Sequence, residues 1–126
     1  MNHRIAILSD IHGDTTALEA VIADARALGA TEYWILGDIL LPGPGREDLF
    51  ELLDAIPITA AVRGNWDDCV LEALDGEYRL EDPQEIQLLR LTQYLMEGLD
   101  PKRIDWLRSL PSVEKKEVNV IRFSLS

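Results

Sequence analysis

Ile5-Ala6-Ile7-Leu8-Ser9-Asp10-Ile11-His12-Gly13 joins a short apolar run to a cluster of polar residues at its end. Four apolar residues bounded by polar ones read as a buried strand and are too few for a helix. The arrangement returns twice. Gly37-Asp38 follows Tyr33-Trp34-Ile35-Leu36, and Arg63-Gly64-Asn65-Trp66-Asp67-Asp68 follows Ile58-Thr59-Ala60-Ala61-Val62. Between these runs the period becomes helical. Leu18, Val21, Ile22, Ala25 and Leu28 predict a helix over Thr16–Leu28. Thr16-Ala17-Leu18-Glu19 has capping-box form, and Gly29 stands where a left-handed C-terminal glycine belongs. Thr31–Leu36 and Ile58–Val62 read as the second and third strands. Arg46–Ala55 reads as a short helix with Leu49, Leu52 and Leu53 inward. Leu41-Pro42-Gly43-Pro44-Gly45 defeats both helix and ladder and must be a loop. Strands alternating with helices predict an α/β fold around a mostly parallel sheet with right-handed crossovers.

The last third has a different rhythm. Asp82-Pro83 and Asp100-Pro101 are matching helix starts, each an N-cap acid followed by proline at the first helical position. They predict helices over Pro83–Glu97, with a Leu88/Leu91/Leu95 stripe, and over Pro101–Leu110, stopped by Pro111. Two consecutive helices with no strand between them read as an insert over one edge of the sheet. Val118, Val120, Ile121, Phe123 and Leu125 predict one further strand over Glu117–Leu125. No repeat, low-complexity tract or long linker divides the chain, so one domain over residues 1–126 is expected.

Composition narrows the function classes. The chain has 126 residues, 47% of them hydrophobic, enough for one buried core. No apolar run nears the roughly 18 residues that a membrane span needs. The start of the chain lacks a signal-peptide apolar core. Cys69 is the single cysteine and cannot form an internal disulfide. A reducing, cytoplasmic location is the expectation. The net charge of −11 argues against binding to nucleic-acid backbones, because Lys102-Arg103 and Lys115-Lys116 are short and set among acids. A small phosphorylated substrate remains compatible if bound cations supply the positive charge locally.

In an open α/β sheet, ligands bind beyond the carboxyl ends of the strands. Asp10, His12, Asp38 and Asn65 all stand there, and parallel crossovers bring their loops to one rim. Two carboxylates, an imidazole and a carboxamide form a mixed hard and borderline set, suited to manganese, iron or zinc more than calcium. A carboxylate between two cations can bridge them, and metals roughly 3.5–4 Å apart can clamp a phosphoryl group. Gly13, Gly37 and Gly64 permit tight turns beside these residues. Each residue alone has a plainer reading: Asp10 as a helix cap, Asp38 as a turn residue, Asn65 in a left-handed turn. Their joint register favours a metal site. Asp67 and Asp68 read as helix-start acids favoured by the dipole. Asp14 reads as a cap or a neighbour of the ligands, Arg63 as ion-paired, His3 as exposed and Cys69 as a small buried residue. The leucine stripe reads as core or a partner surface.

Asp10-x-His12, Gly37-Asp38 and Gly64-Asn65-x-Asp67 resemble, in order and spacing, the first three motifs of the calcineurin-like metallophosphoesterases. The closest likeness is to the small bacterial phosphodiesterase and phosphatase branch, and it covers residues 3 to about 68 best. The resemblance implies the αββα sandwich of that superfamily, with the two helices as an insert. It implies two divalent ions (manganese, iron, zinc or nickel). Asp10 and His12 would bind the first, Asp38 would bridge both, and Asn65 would bind the second and contact phosphate. It further implies hydrolysis of phosphomonoesters or phosphodiesters by a metal-bound hydroxide attacking phosphorus in line.

The chain departs from that pattern twice. Many members carry a histidine after the Gly-Asn pair to protonate the leaving group. Trp66 stands there, and an indole cannot be that acid. It could instead stack on a ring of the substrate. The family's later motifs, a lone histidine and then Gly-His-x-His, have no match, because no histidine follows His12. The chain therefore reads as the front part of such an enzyme, with impaired activity expected. A non-catalytic relative acting through its surface is the alternative. A receiver-type signalling domain ranks third, because it has no use for His12 or Gly64-Asn65. Uncovered sheet surface would favour self-association, so a homo-oligomer is expected.

Overall fold

Glu32–Ile35 forms β2, the central strand of the fold, and its side chains alternate between two cores. Tyr33 and Ile35 point into a large cluster shared with Leu8, Leu18, Ile22, Leu49, Phe50 and Leu53. Trp34 points the other way, into a smaller cluster with Ala60, Val62 and Leu125. A strand buried on both faces reads as a continuous apolar run, which is how Tyr33–Leu36 appears in the sequence. The computed structural model describes residues 3–76, 81–118 and 121–126.

β2 pairs in parallel with β1 (Ile5–Leu8) on one side and with β3 (Ile58–Ala61) on the other. The helix α1 (Thr15–Ala27) links β1 to β2, and α2 (Glu47–Asp54) precedes β3. α1 begins one residue earlier than the predicted start at Thr16. Asp14 caps it, accepting from the Ala17 amide at 3.0 Å, so the Thr16/Glu19 pair is not used as the cap. Gly29 follows the helix with φ of +81°, as expected of a left-handed terminator. A third helix, α3 (Asn65–Leu74), rises from the loop after β3.

The two proline-started helices form as expected, as α4 (Pro83–Glu97) and α5 (Pro101–Ser109). Asp82 accepts from the Gln84 amide, and Asp100 from the Lys102 amide. The Leu88/Leu91/Leu95 stripe turns inward: Leu95 is buried, and Leu88 and Leu91 pack against the main core. It is core, not a partner surface. α5 is held to α2 by Arg103, whose guanidinium donates to both Glu47 and Asp54.

The predicted single strand over Glu117–Leu125 is instead an antiparallel hairpin. β4 (Glu114–Val118) pairs with β5 (Ile121–Leu125), from Glu114 opposite Leu125 to Val118 opposite Ile121. Asn119 and Val120, which that prediction included, lie outside the described residues. A strand over Ile121–Leu125 needs a ladder partner, and Glu114-Lys115-Lys116-Glu117 provides one without an apolar signature. The hairpin covers the face of the parallel sheet opposite the helices. Phe123 meets Trp34 edge-on, with ring centroids 5.3 Å apart, and Leu125 is buried beside it. Helices, parallel sheet, hairpin sheet: these layers are those of an α/β sandwich. The cover is incomplete over β1, where Ile7, in register with Trp34, remains 52% exposed.

Candidate metal centre

The loops after β1, β2 and β3 converge at one rim because the three strands are parallel and adjacent. Backbone hydrogen bonds lace the first two loops together. His12 N donates to Asp38 O at 2.7 Å and Gly13 N to Ile39 O at 2.9 Å. The segment after Leu41 closes on the first loop from its other side, with Gly43 N donating to His12 O at 2.8 Å and Gly45 N to Gly13 O at 2.7 Å. Gly13 has φ of +71°, and a Cβ there would stand 2.5 Å from Gly43 O, so only glycine allows this approach.

These contacts gather the predicted ligands. One ligand atom each from Asp10, His12 and Asp38 lies within 4.8 Å of the others. His12 Nε2 is 3.3 Å from Asp10 Oδ1. His12 Nδ1 is 2.9 Å from the carbonyl oxygen of Leu41. A carbonyl only accepts, so that contact places the proton on Nδ1 and leaves the Nε2 lone pair for a cation. Asp10 is exposed, whereas His12 and Asp38 are half-buried.

Backbone strain marks the same residues. Among the described residues, four that are not glycine have positive φ: Asp10 at 56°, His12 at 50°, Asp38 at 52° and Leu41 at 49°. Three are the clustered candidate ligands, and the fourth supplies the carbonyl oxygen beside His12 Nδ1. A left-handed conformation costs an L-residue roughly 1–2 kcal/mol. Strain concentrated on one side-chain cluster is the mark of a functional site more than of a folding requirement.

The third loop reaches the centre through Asp38. Trp66 N donates to Asp38 Oδ1 at 2.9 Å, so Asp38 caps α3 from another loop, where Gly64 has no side chain to do so. Asn65, the first residue of α3, is exposed beside this contact. The Trp66 ring is partly packed into the main core and meets the His12 ring edge-on at 5.8 Å. Asp68 does not join the ligands. Arg63 Nε stands 3.0 Å from its Oδ1, in ionic contact but without hydrogen-bond alignment, and Arg63 Nη1 donates to Arg108 O. Cys69 is half-buried, more open than its small-core reading predicts. His3 is exposed and pairs with Glu32.

Asp67 exceeds its expected role. It is fully buried, and its carboxylate accepts from the backbone amides of Asp38, Ile39 and Gly64 at 2.8–2.9 Å. Burial pushes its carboxyl above the ordinary aspartate range, against the opposing pull of these amides. A helix-start acid in the sequence gives no sign of contacts to a loop so distant along the chain. Its spacing from Gly64, one turn into α3, was the available signal.

The chain matches the family model described as calcineurin-like phosphoesterase over residues 3–123. Among solved structures it is similar to a metallophosphoesterase from Sphaerobacter thermophilus, at 30% identity and a TM-score of 0.68 over 93% of this chain and 45% of that one. It shares its fold with the hypothetical protein PH1004 from Pyrococcus horikoshii, at 23% identity and a TM-score of 0.66 over 95% of this chain and 52% of the other. The uncharacterized protein MJ0912 of Methanocaldococcus jannaschii is 38% identical over 73 residues, 56% of this chain and 30% of its own length. The chain thus spans about half the length of these solved structures and less of that curated relative.

Proposed function

The chain belongs to the calcineurin-like phosphoesterase family, and on that premise we propose that it carries the centre of a metal-dependent phosphoesterase acting on small phosphomonoesters or phosphodiesters. The observation that carries this reading is the convergence of Asp10, His12 and Asp38 with their strained backbones and the Leu41 carbonyl behind His12. The donor set fits a divalent transition metal: two carboxylates and an imidazole whose Nε2 is free. Asp10 and His12 would hold one ion. Asp38 would lie between two, and Asn65 would hold the second and touch the substrate phosphate. Bound ions of this kind supply positive charge to phosphoryl oxygens and make water acidic enough to react near neutral pH.

The chain's own residues set up that chemistry. Asp38 is fixed by the Trp66 amide at one oxygen, which leaves the other for cations. The Trp66 indole borders His12 and offers a flat apolar wall to a ring in the substrate. It offers no proton for a leaving group, so esters of acidic alcohols are the better substrates. We place the protein in the cytoplasm as a single domain over residues 1–126. Among the described residues no helix is long and apolar enough to cross a membrane.

Metal analysis after reconstitution with manganese, together with turnover of a chromogenic phosphodiester, tests the reading. Bound manganese and weak turnover that Asp38→Ala abolishes are expected. A chain that takes up no manganese, iron, zinc or nickel would instead be a non-catalytic member acting through its surface.

A further inference from the structure

Asp67 has no exposed surface, yet its two oxygens hold the loops that carry Asp38 and Asn65. Oδ2 accepts from Asp38 N at 2.8 Å and from Gly64 N at 2.9 Å. Oδ1 accepts from Ile39 N at 2.9 Å, with Leu40 N farther away at 3.5 Å. One buried carboxylate therefore ties the loop after β2 to the loop after β3. The peptides it holds include the strained one: Asp38 has φ of 52° and Gly37 φ of 89°. A buried amide without a partner is costly, so the left-handed turn at Asp38 is stable only while an acceptor waits beneath it.

The return contacts complete a closed loop of constraints. Trp66 N, one residue before Asp67, donates to the Asp38 carboxylate. A Cβ on Gly64 would collide with that carboxylate and would stand 2.5 Å from Asp38 N. Asp38 is thus gripped at its amide by Asp67, at its carboxylate by Trp66 and at its flank by Gly64. We infer that Asp67 is the positioning residue of the centre: it fixes Asp38 against the start of α3, so that Asp38 and Asn65 share one geometry. The consequence for metal binding rests on the metal-centre reading above; the geometric consequence does not.

Asp67→Asn tests it. Asparagine keeps the shape but replaces one acceptor oxygen with an NH2 group that faces two amide donors. Manganese titration by calorimetry and amide hydrogen exchange are compared between the wild-type chain and the variant. The expected result is a folded variant with manganese affinity reduced tenfold or more. Exchange at Asp38 and Ile39 should be at least tenfold faster, with Ile35 in β2 unchanged. Equal affinity and unchanged exchange at Asp38 and Ile39 would overturn the inference. So would equal acceleration at Ile35, or a variant that does not fold, because Asp67 would then be a general stability residue. A wild-type chain that takes up no metal, while Asp67→Asn still loosens Asp38 and Ile39 selectively, would uphold the positioning role and sink the metal reading alone.

Discussion

His12 Nδ1 and the Leu41 carbonyl oxygen lie 2.9 Å apart, and both residues hold left-handed backbones. The contact fixes the imidazole tautomer and aims Nε2 toward Asp10. A ligand oriented this way binds metal better than a freely rotating one. His12→Asn removes the imidazole while keeping a residue type that tolerates positive φ. The expected outcome is a tenfold or larger loss of divalent-ion affinity, read by calorimetric titration with manganese and zinc. Stability should change by only about 1 kcal/mol in urea denaturation, because the ring is half-exposed. Undiminished affinity would place the metal elsewhere.

Gly64 and Gly76 separate two reasons for a glycine. Gly64 has an ordinary φ of −97°, but a Cβ there would run into Asp38. Gly76 has φ of +75° and open space around it. Gly64→Ala should destabilise by about 1–3 kcal/mol through overpacking and should also weaken metal binding. Gly76→Ala should cost about 1–2 kcal/mol through backbone strain alone and leave metal binding intact. Denaturant midpoints paired with manganese titration check both, and equal metal affinity in the two variants would count against the account of Asp38.

The parallel layer was legible in the sequence because its strands are short apolar runs and the central one, β2, is buried on both faces. Tyr33–Leu36 has no polar alternation to confuse its reading, and Asp10, His12, Asp38 and Asn65 mark the strand ends. Once the strands are known to be parallel, their ends must share a rim, so the convergence of Asp10, His12 and Asp38 follows from order alone. The hairpin was not legible. Glu114-Lys115-Lys116-Glu117 is half-exposed and charged, and only pairing with Ile121–Leu125 makes it a strand. The clasp by Asp67 was hidden for another reason. An acid in the first turn of a helix is explained locally by the dipole, and nothing in the sequence shows that its oxygens also serve distant amides. The Leu41 carbonyl was hidden likewise, since a main-chain acceptor leaves no trace in residue identity.

Arg103 should make the α2–α5 contact sensitive to acid. Its guanidinium lies 2.8 Å from Glu47 and 2.7 Å from Asp54, and it holds both carboxyls below their ordinary values of 4.5 and 3.8. A depressed carboxyl pKa contributes stability above the unfolded value and loses it as pH falls through the folded one. Arg103 stays charged throughout. Arg103→Met keeps an apolar side chain of similar length but removes the guanidinium, whose central carbon lies 5.3 Å from the Phe50 ring centroid. The variant should be less stable by about 0.5–1 kcal/mol at neutral pH, a small figure because these pairs are solvent-screened. That gap should hold down to about pH 5 and then narrow toward pH 3. Thermal melts of both proteins across this range check it, and a gap that widens in acid would reverse the assignment.

Ile7 and Ile121 give the last prediction. Ile7 is 52% exposed and Ile121 58% exposed. Among the described residues β1 and β5 each have a ladder partner on one side only. Open strand edges next to apolar side chains favour pairing with another chain. The net charge of −11 opposes that contact by repulsion between copies. The two effects respond oppositely to salt, since screening removes the repulsion and leaves the apolar attraction. Self-association should therefore strengthen from about 0.01 M to 0.15 M ionic strength in sedimentation velocity runs, as the Debye length falls from about 30 Å to 8 Å. Ile7→Lys puts a charge on the uncovered face of β1 and should return the chain to a monomer at the higher salt. A wild-type chain that sediments as a monomer at both salts and at high concentration would rule out pairing through β1. Association that weakens with salt would assign the contact to charge instead.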